Sequence, residues 1–148
     1  KILEKVPRAL FFEIEVDYSQ TAAEMVEASG FGYEKNPDST PVTMGRKHGA
    51  PVKVKKEIVL IPLFHLETVH SDVEEDKINS FLTELGLSHA FAEDLLAFLR
   101  DNGKKLEEHG INRRLMALGT RWQNGNGILD CLRLSFSGLF SSLTGTTN

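Results

Sequence analysis

The chain holds a single cysteine, Cys131, among its 148 residues. No disulfide can close within it, which is the pattern of a protein kept in a reducing compartment. Long apolar runs are missing as well. A membrane helix needs about 20 consecutive apolar residues, and the longest candidate, Ile58–Leu66, is strand-sized and interrupted by Pro62 and His65. The opening residues, Lys1 to Pro7, carry no extended apolar core of the signal-peptide type. The resulting expectation is a cytoplasmic protein with no membrane association. A general basic excess is also lacking: the net charge of −4 excludes a protein that coats nucleic acid indiscriminately. The glycines never take the Gly-x-Gly-x-x-Gly or phosphate-loop spacing, and no Gly-x-Ser-x-Gly elbow occurs. No cofactor is therefore expected.

What is present is ordinary globular material, 41% hydrophobic and 26% charged. A chain of this length suits one domain over 1–148 and can bury roughly 70% of the surface its unfolded form exposes. Its periods are ordered. Between Arg8 and Asp17, the residues Leu10, Phe12, Ile14 and Val16 share one strand face, and Phe11, Glu13, Glu15 and Asp17 share the other. A short helix is expected over Gln20–Ser29, with Thr21 and Glu24 at capping-box spacing, an inner stripe of Ala22, Met25, Val26 and Ser29, and Gly30 as its stop. Residues 31–52 read as a long loop, and loops of that length are commonly functional or mobile. Val52–Glu67 reads as one bent strand or two, apolar on both faces from Ile58, with an edge or bulge at Pro62.

Two helices follow. The first, Ser71–Gly86, opens on a Ser71/Glu74 capping box and carries Val73, Ile78, Phe81, Leu82 and Leu85 as its stripe. The second, Ser88–Gly103, is expected to be capped by Ser88 and to bury Phe91, Leu95, Leu96, Phe98 and Leu99. Lys104–His109 can add a further turn. Asn112–Trp122 and Ile128–Phe136 then form a hairpin across Gln123-Asn-Gly-Asn-Gly127, whose glycines supply positive φ. The small polar residues 141–148 read as a frayed tail. The class is α+β: a mostly antiparallel sheet of about four strands with helices on one face, in the order β-α-β-α-α-β-β.

Three groups of residues could carry chemistry. The first is basic. Arg46, Lys47, Lys53, Lys55 and Lys56 fall within eleven positions that hold no acid, whereas Glu57–Asp94 holds nine acids against Lys77 alone. Such a segment can steer an acidic partner or phosphates. Arg121 and Arg133, near each other across the expected hairpin, extend that set. The second group is His65, Glu67 and His70, two imidazoles and a carboxylate of the kind that hold zinc or non-haem iron, at a spacing that matches no established metal motif. Glu67 has a sufficient role at a strand end and His70 in a loop. The third is Cys131 and Trp122, better read as a small core residue and a packing anchor than as a nucleophile and a stacking ring.

Several short stretches, in the same order along the chain, resemble an uncharacterised family of bacterial proteins. They are Val16-Asp-Tyr-Ser19 with Glu24-Met25, then Glu93-Asp-Leu-Leu-Ala-Phe98, Ala117-Leu-Gly-Thr-Arg-Trp122 and Arg133-Leu134. The resemblance implies one folded domain and a bacterial setting, and no activity. It departs at Phe31-Gly-Tyr33, where the relatives carry an aromatic–Trp pair, and at the C-terminus, which lacks their final apolar strand.

The leading functional expectation is a non-enzymatic binding or regulatory module. One concrete form is a small accessory or phage-related protein that docks on a larger protein or a nucleic-acid complex. A metal-dependent enzyme using His65, Glu67 and His70 is the alternative. Nucleic-acid binding through residues 46–56 is a third.

Overall fold

Alternation along the first apolar run produces β1, Leu10–Asp17, preceded by a one-turn helix α1, Ile2–Lys5. Ile14 and Val16 are buried while Phe11, Glu13 and Glu15 are exposed, as the period of two requires. The computed structural model describes residues 2–33, 52–61, 75–111, 115–123, 129–135 and 138–143. Helix α2, Ala22–Ser29, starts at the Thr21/Glu24 capping box, both of whose hydrogen bonds form. It ends at Gly30, whose φ of 83° is a left-handed cap open to glycine at little cost. Strand β2, Lys53–Leu60, pairs antiparallel with β1, from Leu10 opposite Leu60 to Asp17 opposite Lys53. Ile58, Val59 and Leu60 are half-buried, so the apolar end of β2 is partly covered on both faces.

Helix α3 spans Glu75–Glu84 and α4 spans Ala92–Asn102, followed by a 3-10 turn at Gly103–Lys105. The start expected for the first of these helices, Ser71 to Glu74, lies outside the described residues. Strands β3, Leu115–Gln123, β4, Leu129–Ser135, and β5, Gly138–Leu143, form an antiparallel meander.

The expectation of one four-stranded sheet with helices on one face is corrected: the described residues form two antiparallel sheets, β1-β2 and β3-β4-β5. The reason lies in α4. Every residue from Ala92 to Leu99 is buried, and a helix buried all round needs packing partners on all sides. It touches β1, α2 and β3, and one core cluster runs from Ile14 and Val16 through Leu95–Leu99 to Leu132, Leu134 and Leu139. Phe98, fully buried, meets the Phe12 ring edge-on at 4.9 Å, a contact worth about 0.5–1.5 kcal/mol beyond the area it buries.

Of the expected frayed tail 141–148, residues 144–148 lie outside the described residues, and the first three are corrected. Ser141 and Ser142 pair with Leu132 and Cys131 in β5 rather than fraying. Small polar side chains gave no strand signal there, but buried β4 needs its backbone groups paired. The beginning of the expected loop is likewise held, by a bridge of Tyr33 to Leu139 and a hydrogen bond from the Leu139 N–H to the Gly32 carbonyl. The rest of that loop, 34–51, lies outside the described residues.

Candidate functional site around the first turn of α4

Ser88 does not cap α4, because Leu87–Ala90 run on without helical structure and the helix opens four residues later. Its first turn is closed by other means. The Asp94 Oδ2 accepts from the Phe91 N–H at 2.9 Å, and the Thr120 hydroxyl accepts from the Ala92 N–H at 2.9 Å. Thr120 arrives there through a bulge: β3 pairs Ala117 with Leu132 and then Trp122 with Asp130, so residues 118–121 swing out of the ladder. Within the bulge the Gly119 N–H donates to the Ala90 carbonyl at 2.8 Å, and a Cβ on Gly119 would lie 2.7 Å from that oxygen. Only glycine lets the two backbones approach this closely.

Two adjacent carboxylates in this turn are buried, with Glu93 1% and Asp94 4% exposed. Both Asp94 oxygens are satisfied. Its Oδ1 meets Lys56 Nζ at 2.9 Å, and the Lys56 ammonium lies 5.5 Å from the Tyr18 ring centre and 5.4 Å from that of Phe91. Burial pulls the Lys56 pKa down, but hydrogen bonds to Tyr18 and Asp94, together with the attraction of Asp94, outweigh it and hold the group above the ordinary lysine value of 10.5. Lys56 is therefore a fixed ammonium, unsuited to act as a neutral base or nucleophile near pH 7.

Glu93 faces the other way. Glu93, Leu96, Ala97 and Arg100 form one stripe of α4 that borders, with Asp17, Gln20 and Met25, a recess of about 10 Å³, room for about one water-sized group. The Glu93 Oε1 is buried and has no hydrogen-bond partner. Arg100 does not reach it. Its guanidinium is held by Asp101 at 2.9 Å and by the Glu15 carbonyl at 2.9 Å, and seven helical residues separate the two side chains by about 10 Å. At the mouth, the Asp17 Oδ1 accepts from the Ser19 N–H and hydroxyl. Those bonds, with Lys53 and Arg100 nearby, hold its carboxyl below the usual value.

The residues singled out from sequence are dispersed. Lys53 and Lys55 are exposed on β2, opposite Asp17 and Glu15 in the register. Lys56 points the other way, into the ion pair with Asp94. Arg133 is half-buried opposite Met116 and Phe140, while Arg121 falls in the bulge, so the register does not set the two arginines against each other. Arg46, Lys47, His65, Glu67 and His70 lie outside the described residues. Among the described residues, no three His, Cys, Asp or Glu side chains gather as a metal would require, and no helix is long and apolar enough to cross a membrane. Cys131 is buried and Trp122 is half-buried against the core.

Sequence reasoning assigned no role to Glu93 and Asp94. A signal was available. Ala90 to Ala92 before them and Leu95 to Leu99 after them leave the first two turns no polar face on which two acids could be solvated.

Comparison with known proteins finds no matching family model, no matching curated protein and no matching solved structure. What the coordinates define is a class of architecture, a small α+β protein whose central helix is buried between two antiparallel sheets.

Proposed function

We infer that this chain is a non-enzymatic binding module whose working surface is the outer face of the β1-β2 ribbon, and that it takes a partner segment carrying basic and apolar side chains. The supporting observation is the composition of that face. In register it sets Phe11 beside Val59, Glu13 beside Glu57, Glu15 beside Lys55 and Asp17 beside Lys53. Four carboxylates stand against two lysines, and Phe11 is 40% exposed at the apolar end. The like-charged pair Glu13/Glu57 is destabilising by itself, so a cation brought by a partner would relieve it. The same geometry weakens the attraction of Lys53 and Lys55 for phosphates, since each is met by an acid across the ribbon.

The test is fluorescence anisotropy with a labelled peptide of alternating lysine and valine. Binding is expected at low salt and should weaken as the screening length falls from about 10 Å at 0.1 M to about 3 Å at 1 M. A Glu13→Lys/Glu15→Lys variant should lose it. No binding by the wild type, or undiminished binding by the variant, overturns the reading. If a single-stranded oligonucleotide binds instead, and Lys53→Gln/Lys55→Gln/Lys56→Gln flattens its salt dependence, the basic segment is a nucleic-acid surface.

A further inference from the structure

A buried carboxylate without a partner needs an explanation, because Glu is almost never fully buried unpaired and an uncompensated charge in an apolar setting is expensive. Glu93 is 1% exposed, its Oε1 lacks any hydrogen bond, and it borders a recess of about 10 Å³ shared with Asp17, Gln20 and Arg100. We propose that this recess binds a single primary ammonium group, with Glu93 as its principal acceptor. The site shares Asp17 with the ribbon face, but its principal acceptor, Glu93, lies inside the fold on α4, so a failure of the ribbon face to bind a peptide leaves it standing.

Size, charge and hydrogen-bond count select the ligand. The recess admits a group about as large as one water molecule, which excludes a guanidinium or a quaternary ammonium. Among the described residues its wall brings two carboxylates and one cation, Arg100, which is already held by Asp101, while Lys53 lies outside the wall, across the ribbon from Asp17. The local balance is negative. Glu93, Asp17 and Gln20 border the recess as residues with oxygen acceptors in their side chains, and an ammonium carries three donors where water has two. Both charged acceptors would bond through charge-assisted contacts, the stronger kind. A divalent metal is a poorer match: two carboxylates and an amide, with a guanidinium on the rim, fall short of the oxygen cage a hard cation takes.

The experiment is a titration of the full chain with methylammonium, followed by the side-chain carboxyl ¹³C resonance of Glu93 and by thermal melting, with tetramethylammonium at matched ionic strength as the control. Saturable movement of the Glu93 resonance and a rise in Tm with methylammonium alone are expected. Glu93→Gln should weaken that response about tenfold or more, and Gln20→Ala should weaken it less. N-acetyl-lysinamide distinguishes the source of the group. Tighter binding than methylammonium assigns the site to a lysine tip of a peptide, and weaker binding assigns it to a small amine. A response equal to that of tetramethylammonium, a response that persists in Glu93→Gln, or no response at all overturns the proposal; the last outcome leaves the recess to a buried water. The wild-type titration reads the site even if a variant fails to fold.

Discussion

Asp94 and Glu93 are consecutive, both carboxylic side chains and similarly buried, yet the two sides of the same helical turn treat them in opposite ways. On the Asp94 side, β2 brings Lys56, the residue after β1 is Tyr18, and the N–H of Phe91, just before the helix, takes the second oxygen. The carboxylate is consumed by the fold. On the Glu93 side, β1, the turn after it and α2 offer Asp17, Gln20 and Met25 around a recess, and no group closes on the Oε1. Neighbours in sequence thus become a structural group and an available one, because successive residues of a helix point about 100° apart and meet different elements.

Breaking the paired side should have the largest effect. Asp94→Ala leaves the half-buried Lys56 ammonium without its counter-ion and the Phe91 N–H without its acceptor. A loss of about 3 kcal/mol is expected in urea unfolding, and a loss below about 1 kcal/mol would show that the pair is not holding the turn. Thr120→Val keeps the shape but strands the buried Ala92 N–H, for an expected loss of about 2 kcal/mol; an unchanged midpoint would mean that the bulge does not cap α4. Thr21→Ala, which opens the exposed capping box of α2, should cost about 1 kcal/mol. The smallest effect is expected on the unpaired side. Glu93→Met removes a buried polar group whose Oε1 makes no hydrogen bond, so stability should stay within about 1 kcal/mol or rise. A large loss there would reveal a partner for Glu93 and erase the contrast.

pH sharpens the same comparison. The folded-state pKa of Lys56 is raised, so the stability it contributes is complete below the ordinary lysine value of 10.5 and is lost as pH rises through the higher folded value. Stability curves of wild type and Lys56→Met should therefore converge at strongly alkaline pH. Asp17, with a lowered pKa, gives the opposite sign. Its contribution is present above 3.8 and is lost as pH falls through the folded value. Parallel curves for the wild type and Lys56→Met across the alkaline range would remove Lys56 from the account.

Much of this was legible in the chain. The alternation of β1, the α2 capping box with its stripe and glycine stop, and the two central helices were all readable because each depends on side chains close in sequence. The location of α4's first residue was not. Ser88 is the better cap by residue type, but Asp94 and the distant Thr120 supply the acceptors instead, and a cap brought from 28 residues away leaves no local trace. The candidate sites fared in the same way. Lys53, Lys55 and Lys56 read as one basic run, whereas strand pairing sets the first two against Asp17 and Glu15 and sends the third inward to Asp94.

The sequence by itself determined the local conformations and the α+β class, since periods, caps and turn glycines act over a few residues. The tertiary structure alone decided that the strands divide into two sheets around α4, that residues 141–143 complete a strand, and that Glu93 is left without a partner while Asp94 is not. Those outcomes depend on which distant backbone and side-chain groups come within hydrogen-bond reach. A linear pattern carries charge and polarity, but it does not carry the partner.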